Sequence, residues 1–288
     1  MKISIQGIKG AFHEEAAKNY FNSEIEIVPQ KSFDDVIHSV LNHESDYGVM
    51  AIENTISGTI HTNLNLIRQS GLKIKGEVYL PIKQNLVALP GTKIEDLNQV
   101  NSHHMALDQC REFFRKYPKI RLVESEDTAL SIKHIAKHRI TEVAAIGSRL
   151  AAEYYGLEII AESIETNKKN YTRFLILDKE SNGIFLENDK ASLAITLTHK
   201  KGSLAILLNT ISFYDINLTK IESVPLIGEP WHYLFYIDVQ FSLVNNYRQM
   251  IYALKPLVDE MQILGEYKSG MQSFNHKHQE QNETSKQN

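Results

Sequence analysis

The chain has 288 residues, 42% hydrophobic and 23% charged, with a formal net charge of −4, the composition of a folded protein with more than one core. Charges of both signs are scattered along it, so no basic face is on offer to nucleic acid or an anionic membrane, and no apolar run approaches the roughly 20 residues of a membrane span. Met1-Lys2-Ile3-Ser4-Ile5 enters a strand pattern with no secretory leader, and the lone cysteine, Cys110, can close no internal disulfide, so a reducing cytoplasm is the expected compartment.

Residues 1–178 alternate short β-branched runs with amphipathic helical stretches. Strands are expected at 3–5, 25–28 and 47–52, with helices at 12–21, 33–41 and 59–68. This βαβαβ rhythm implies a mainly parallel sheet with helices on both faces. Two long strands, 74–80 and 84–89, read as a crossing into a second lobe at about 80–155. That lobe has strands at 99–102, 121–123 and 142–146, each beside a helix. Strands near 159–160 and 174–177 are expected to return to the first lobe, leaving a cleft between the two. Residues 178–189 are polar and turn-rich, a linker. Residues 190–268 then read βαββαβ: strands at 192–198, 217–225, 231–240 and 263–267, helices at 203–214 and 247–257. That is a ferredoxin-like α+β plan. The stretch 271–288 is almost wholly polar and is expected to be disordered.

In an open α/β sheet, ligands bind beyond the carboxyl ends of the strands, where helix N-termini offer free N–H groups. Five segments lie there or at a strand mouth. Gln6-Gly7-Ile8-Lys9-Gly10-Ala11-Phe12 is a close turn suited to an anion, or simply a turn. Glu53-Asn54-Thr55 precedes Ser57 and Thr59, either of which would cap the next helix. Ser102-His103-His104 leads towards Gln109 and Cys110: Ser102 caps or binds, Gln109 faces cleft or solvent, the histidines are solvated or catalytic, and Cys110 reads as a small buried hydrophobe. Gly147-Ser148 is another small-residue turn that could approach a ligand closely or simply begin a helix. In Asn170-Tyr171-Thr172-Arg173-Phe174, alternation sends Thr172 and Phe174 to one face and Arg173 to the other, where a strand threonine and a surface charge are the default readings. No metal-ligand spacing, GxGxxG or Walker lysine is present.

Gly7 to Ala17, Ile52-Glu53-Asn54-Thr55, Ser102-His103 through Gln109-Cys110 and Asn170 to Phe174 resemble the prephenate dehydratase family in order and spacing. Residues 190–268 are similar to an ACT domain, with Gly202-Ser203-Leu204 and Glu222-Ser223-Val224-Pro225 at its effector segments. The resemblance is to the monofunctional form, since no chorismate mutase helices precede it. It implies a two-lobed, periplasmic-binding-protein-like α/β catalytic domain joined to the ferredoxin-like ACT domain. The implied reaction turns prephenate into phenylpyruvate, water and CO₂, without a cofactor or metal, under feedback by L-phenylalanine. It further implies catalysis by Thr172 and a site lined by Glu53, Asn54, Ser102 and Gln109. Thr55, Arg173 and Phe174 complete the expected substrate contacts, and Gly202, Ser203, Leu204, Glu222, Ser223 and Pro225 the effector contacts, in a homodimer or homotetramer. Lys201 stands where the family usually has proline and Val224 where it has arginine; both departures bear on effector affinity.

The chemistry suits these side chains. Prephenate is a dianion whose ring aromatises as one carboxylate leaves as CO₂ and hydroxide leaves the opposite carbon. The protein has to hold two carboxylates, a task for helix N-termini, Asn54 and Arg173, and to assist a poor leaving group. Thr172 is a hydrogen-bond donor for the departing oxygen; Glu53 is the other proton source, should burial raise its pKa. Two readings stay beside this one: arogenate as the substrate, or a two-lobed metabolite-binding protein with no chemistry.

Overall fold

The computed structural model describes residues 1–180, 184–226 and 232–270. Contacts divide the chain into two units, Met1–Thr59 with Tyr79–Phe174, and Ile60–Val78 with the remainder from Leu175. The division falls inside two strands, and among the described residues no helix is long and apolar enough to cross a membrane.

The first unit opens with β1 (Lys2–Gln6), α1 (Phe12–Phe21), β2 (Glu26–Gln30), α2 (Phe33–Leu41) and β3 (Tyr47–Asn54). Strands β1, β2 and β3 are parallel, with Ile3 opposite Ile27 and Ile5 opposite Val49. Ile3, Ile5, Ala16, Ala17, Val36, Val40 and Val49 are all buried, the apolar stripes expected of amphipathic helices laid on a β-branched sheet. Ser32 and Asp35 form a reciprocal capping box that starts α2. The sheet runs β2-β1-β3-β11-β5, where β5 is Lys73–Pro81 and β11 is Tyr171–Asp178.

The second lobe carries β6 (Asn85–Ala88), β7 (Gln99–Ser102), α4 (His104–Phe114), β8 (Arg121–Glu124), α5 (Thr128–His138), β9 (Val143–Gly147), α6 (Arg149–Tyr155) and β10 (Glu158–Ala161). Its sheet order is β10-β6-β9-β7-β8. One face packs Leu86, Val100 and Ile146 against α4; the other packs Val87 and Ala145 against α5 and α6. Strand β10 does not return to the first lobe as expected; it pairs antiparallel with β6, carrying the lobe past 155. The chain re-enters the first sheet at β11, and Ile82 N–H donates to the Asn170 carbonyl (2.8 Å) where the two crossings pass.

In the second unit, β12 (Lys190–Thr196), α7 (Ser203–Phe213), β13 (Asn217–Pro225), β14 (Tyr233–Gln240), α8 (Val244–Leu254) and β15 (Glu260–Tyr267) realise the expected βαββαβ plan. The antiparallel order is β13-β14-β12-β15, with Leu193, Ile195, Leu207, Ile237, Val239, Met250 and Leu254 in the core. The unit also claims α3 (His61–Ser70) and most of β5, so it does not respect the expected boundary at 178. Tyr236 Oη donates to Asn65 Oδ1 (2.6 Å), and Gly265 is pressed so closely on Ile74 that a Cβ would lie 2.2 Å from the Ile74 oxygen. The buried Lys190 ammonium meets the buried Glu77 carboxylate at 2.9 Å. These contacts join residues over a hundred positions apart, which no local pattern announces. The expected start of β14 at Trp231 and the tail 271–288 lie outside the described residues.

Candidate active site

Strand β3 runs two residues further than its apolar pattern, so Glu53 and Asn54 belong to the strand. They pair with Thr59 and Gly58 of a short return strand, β4 (Gly58–Thr59). The expected helix start at 59 is therefore a hairpin; α3 begins at His61 after Ile60, and neither Ser57 nor Thr59 caps it. Asn54 holds the turn: its Oδ1 accepts from the Ile56 and Ser57 amides at 2.9 and 3.0 Å. Its Nδ2 faces Asn170 Oδ1 (2.8 Å), Thr172 Oγ1 (2.9 Å) and the Tyr171 carbonyl (3.2 Å). Both ends of this buried amide are engaged inside the protein. Thr55 latches the hairpin to β11, its Oγ1 accepting from Tyr171 N–H (2.9 Å) and donating to the Lys169 carbonyl (3.1 Å).

Thr172 is buried, and its oxygen accepts from Asn54. Among the described residues nothing accepts its hydroxyl proton, so it is left to donate. Arg173 is only 4% exposed, not the surface charge that is the default for a strand arginine. β11 lies between β3 and β5, so both its edges are covered. The guanidinium is 3.8 Å from Glu53 Oε2 and 5.9 Å from the centre of the Tyr79 ring. The Glu53 side chain is 38% exposed, partly open to solvent beside the buried Arg173. Phe174 is a core residue, 1% exposed and edge-on to His13 at 5.0 Å.

From the second lobe comes Gln109 on α4. Its Oε1 accepts from Asn170 Nδ2 (2.9 Å) and Gln84 Nε2 (3.2 Å), so it faces this cluster rather than solvent, and its own Nε2 has no partner among the described residues. Ser102 is fully buried and engaged elsewhere, its Oγ donating to the Ile146 carbonyl (2.8 Å) to tie β7 to β9. His103, not Ser102, caps α4, and burial lowers its pKa. Cys110 is buried, which pushes its thiol pKa up.

The first and fourth turns meet at Gly10, which is buried. They press on each other, bringing the lobes together. Ser148 Oγ donates to the Gly10 carbonyl (2.6 Å) and accepts from Ala151 N–H (2.9 Å), and Tyr155 Oη donates to the Lys9 carbonyl (3.0 Å). Gly10 N–H is taken by the buried Glu14 carboxylate (2.7 Å), which also accepts from Tyr154 Oη (2.7 Å). Gly147 serves packing: a Cβ there would lie 2.6 Å from Ile132 Cδ1.

Residues 3–182 match the prephenate dehydratase domain family, well over half of the chain. The chain belongs to the prephenate dehydratase family. It is 35% identical over 282 residues to arogenate dehydratase/prephenate dehydratase 2 of Arabidopsis thaliana, covering 93% of this chain and 72% of that one. The prephenate dehydratase of Staphylococcus aureus superposes with a TM-score of 0.80 at 28% identity, over 93% of this chain and all of that one. A prephenate dehydratase of Arthrobacter aurescens, solved with L-Phe, has a TM-score of 0.85 at 24% identity over 99% of this chain and 100% of that one, a likeness of fold.

The motif residues thus meet in one cluster, with Thr172 held by Asn54, and Asn54 linked to Gln109 through Asn170. Asn170 and Gln84 are not among the site residues expected from the sequence. Asn170 is fully buried directly before the Tyr171-Thr172-Arg173 motif, and Gln84 is buried where the chain crosses between lobes. Two adjacent amides at the crossing, Gln84-Asn85, were the available signal. In the second unit, Gly202 is the left-handed N-cap of α7 (φ 86°), followed by Ser203 and Leu204. Glu222, Ser223, Val224 and Pro225 lie along β13, an outer strand of its sheet. Glu222 Oε2 is 3.2 Å from His61 Nε2.

Proposed function

We propose that this chain converts prephenate to phenylpyruvate, water and CO₂, with the Thr172 hydroxyl assisting departure of the ring hydroxyl. The observation that carries the reading is the Thr172 oxygen fixed by Asn54 at 2.9 Å with its proton uncommitted. As the C–C bond to the carboxylate breaks, its electron pair enters the ring and the C–O bond at the opposite carbon breaks. Negative charge grows on that oxygen, and a donor already aimed there stabilises the transition state more than the ground state. Threonine is too weak an acid to give its proton up, so it acts by hydrogen bonding while the leaving hydroxide takes a proton from solvent. Arg173 and the Gln109 amide supply positive potential and a donor for the carboxylates. Asn54 and Thr55 shape the hairpin, Ser102 and Phe174 hold the surrounding strands, and Glu53 positions Arg173.

Thr172→Ala should lower kcat by roughly 10²–10³-fold, read from phenylpyruvate absorbance in base, whereas Thr172→Ser keeps most activity. An alanine variant with near-native kcat removes Thr172 from the chemistry. The second reading, arogenate as substrate, is favoured by the dual name of the Arabidopsis relative; kcat/KM for the two acids measured side by side decides it.

The second unit is proposed as an ACT domain that binds L-phenylalanine through Gly202, Ser203, Leu204, Glu222, Ser223 and Pro225. Its edge strand β13 is half exposed along its length, and α7 turns Ile206 (52% exposed) and Phe213 (83% exposed) outward. An open edge beside apolar side chains supports pairing with a second copy, in a cytoplasmic homodimer or homotetramer. Phenylalanine lowers activity only if it binds the less active arrangement better.

A further inference from the structure

Four side-chain amides, Asn54, Asn170, Gln109 and Gln84, form one hydrogen-bonded chain that starts on β3 and ends at Gln84 on the first crossing between the lobes. The two ends of an amide have nearly the same shape, so the direction in which each one points is decided by its neighbours. Here the direction is anchored at one end by groups that can only donate. The backbone N–H groups of Ile56 and Ser57 both point at Asn54 Oδ1. Asn54 Nδ2 must then face outward, to Asn170 Oδ1 and Thr172 Oγ1. That places Asn170 Nδ2 against Gln109 Oε1 at 2.9 Å, and Gln84 Nε2 meets the same oxygen at 3.2 Å. At the far end, the buried Gln84 Oε1 has no partner among the described residues, the penalty for holding the amides in this sense.

Two consequences follow for the site. Thr172 receives a hydrogen bond on its oxygen and so keeps its proton to give. Gln109 has its oxygen doubly occupied and so presents its NH₂ as a donor. The Gln109 donor depends on Asn170, which is fully buried and is the link that touches an amide of each lobe; the Thr172 donor depends on Asn54, whose Nδ2 Asn170 also holds.

We infer that Asn170 is a positioning residue for the reaction: its amide joins the two lobes, buttresses the Asn54 amide that holds Thr172, and sets the donor direction of Gln109. The inference rests on the reading of Thr172 as the hydrogen-bond donor. In Asn170→Asp the carboxylate still accepts from Asn54 but has no proton for Gln109, so Gln109 turns over and aims its oxygen where its NH₂ was. The expected result is a fall of roughly 10–100-fold in kcat/KM at neutral pH, the scale of removing one charge-assisted hydrogen bond. Relative to the wild type, activity should recover as pH falls and the new carboxyl group regains a proton to donate. Asn170→Ala should lose roughly tenfold in kcat with no such recovery, and it decides the matter should the aspartate fail to fold. Folded variants within twofold of wild-type kcat/KM, or an Asp variant whose deficit is flat with pH, overturn the inference.

A second readout needs no turnover. In protein labelled with ¹⁵N-glutamine, the Gln109 side-chain NH₂ resonances should move in both Asn170 variants. Unmoved resonances sink the inference even if prephenate is processed. A wild type inert towards prephenate whose resonances do move instead sinks the reaction assigned above and leaves Asn170 in its place.

Discussion

His13 is a half-buried imidazole on α1 whose Nε2 accepts from the Ala51 amide (3.4 Å) while its ring packs on Phe33 and Phe174. Burial holds it neutral, taking its pKa down to about 4. The unfolded chain therefore takes up this proton first, near pH 6.5. Its contribution to stability is complete above that pH and drains away as pH falls towards 4. Between pH 7 and 5 the wild type should lose on the order of 1–2 kcal/mol through this group, and His13→Gln should flatten that slope in urea melts at the two pH values. The identities of Thr172, Asn54 and Gln109 were legible as a motif pattern. What each one does with its hydrogen-bonding groups was not. Asn54 stands at the end of its strand with its donors turned inward, and Arg173 is buried because its strand acquires neighbours on both sides. Such facts follow from partners some ninety or more residues away, and spacing along the chain carries no trace of them.

Among the elements, the contact between the Gly10 turn and α6 sets how closely the two lobes approach. Gly10 has φ 91°, and a Cβ there would come 2.7 Å from the Ala151 Cα. Gly10→Ala combines an unfavourable backbone conformation with a clash against helix backbone, costing about 2–4 kcal/mol. It should lower Tm and raise KM for prephenate several-fold by wedging the lobes apart, with kcat less affected. A variant with native KM and native Tm removes this contact from lobe closure. Periodicity placed α1 and α2 at the observed residues because their apolar stripes are unbroken and their ends carry clear signals, Ser32 for one. It misplaced β10, since a four-residue strand shows no preference for one sheet over another. It also read a hairpin as a helix start, because hydroxyl-rich turns precede both.

On the scale of the molecule, the buried Glu77–Lys190 pair ties β5 to β12, with Gly270 N–H also donating to the same carboxylate (3.0 Å). Lys190→Met strands that charge and should destabilise the protein by about 3–5 kcal/mol, seen as a large fall in Tm. Adding Glu77→Gln should recover part of it, and a single variant that melts like the wild type would show that the ammonium is dispensable. The βαββαβ order was readable from the sequence because each strand and helix declares itself locally. The capture of Ile60–Val78 by the C-terminal unit was not, because it depends on a surface assembled from four later strands. This interleaving limits how the protein can be rebuilt. A C-terminal unit transplanted from another family member, joined at a seam near 178, would arrive without the helix and half-strand that its sheet was shaped to receive. A working chimera would have to exchange residues 60–78 together with everything after 174, two grafts that must be inherited as one.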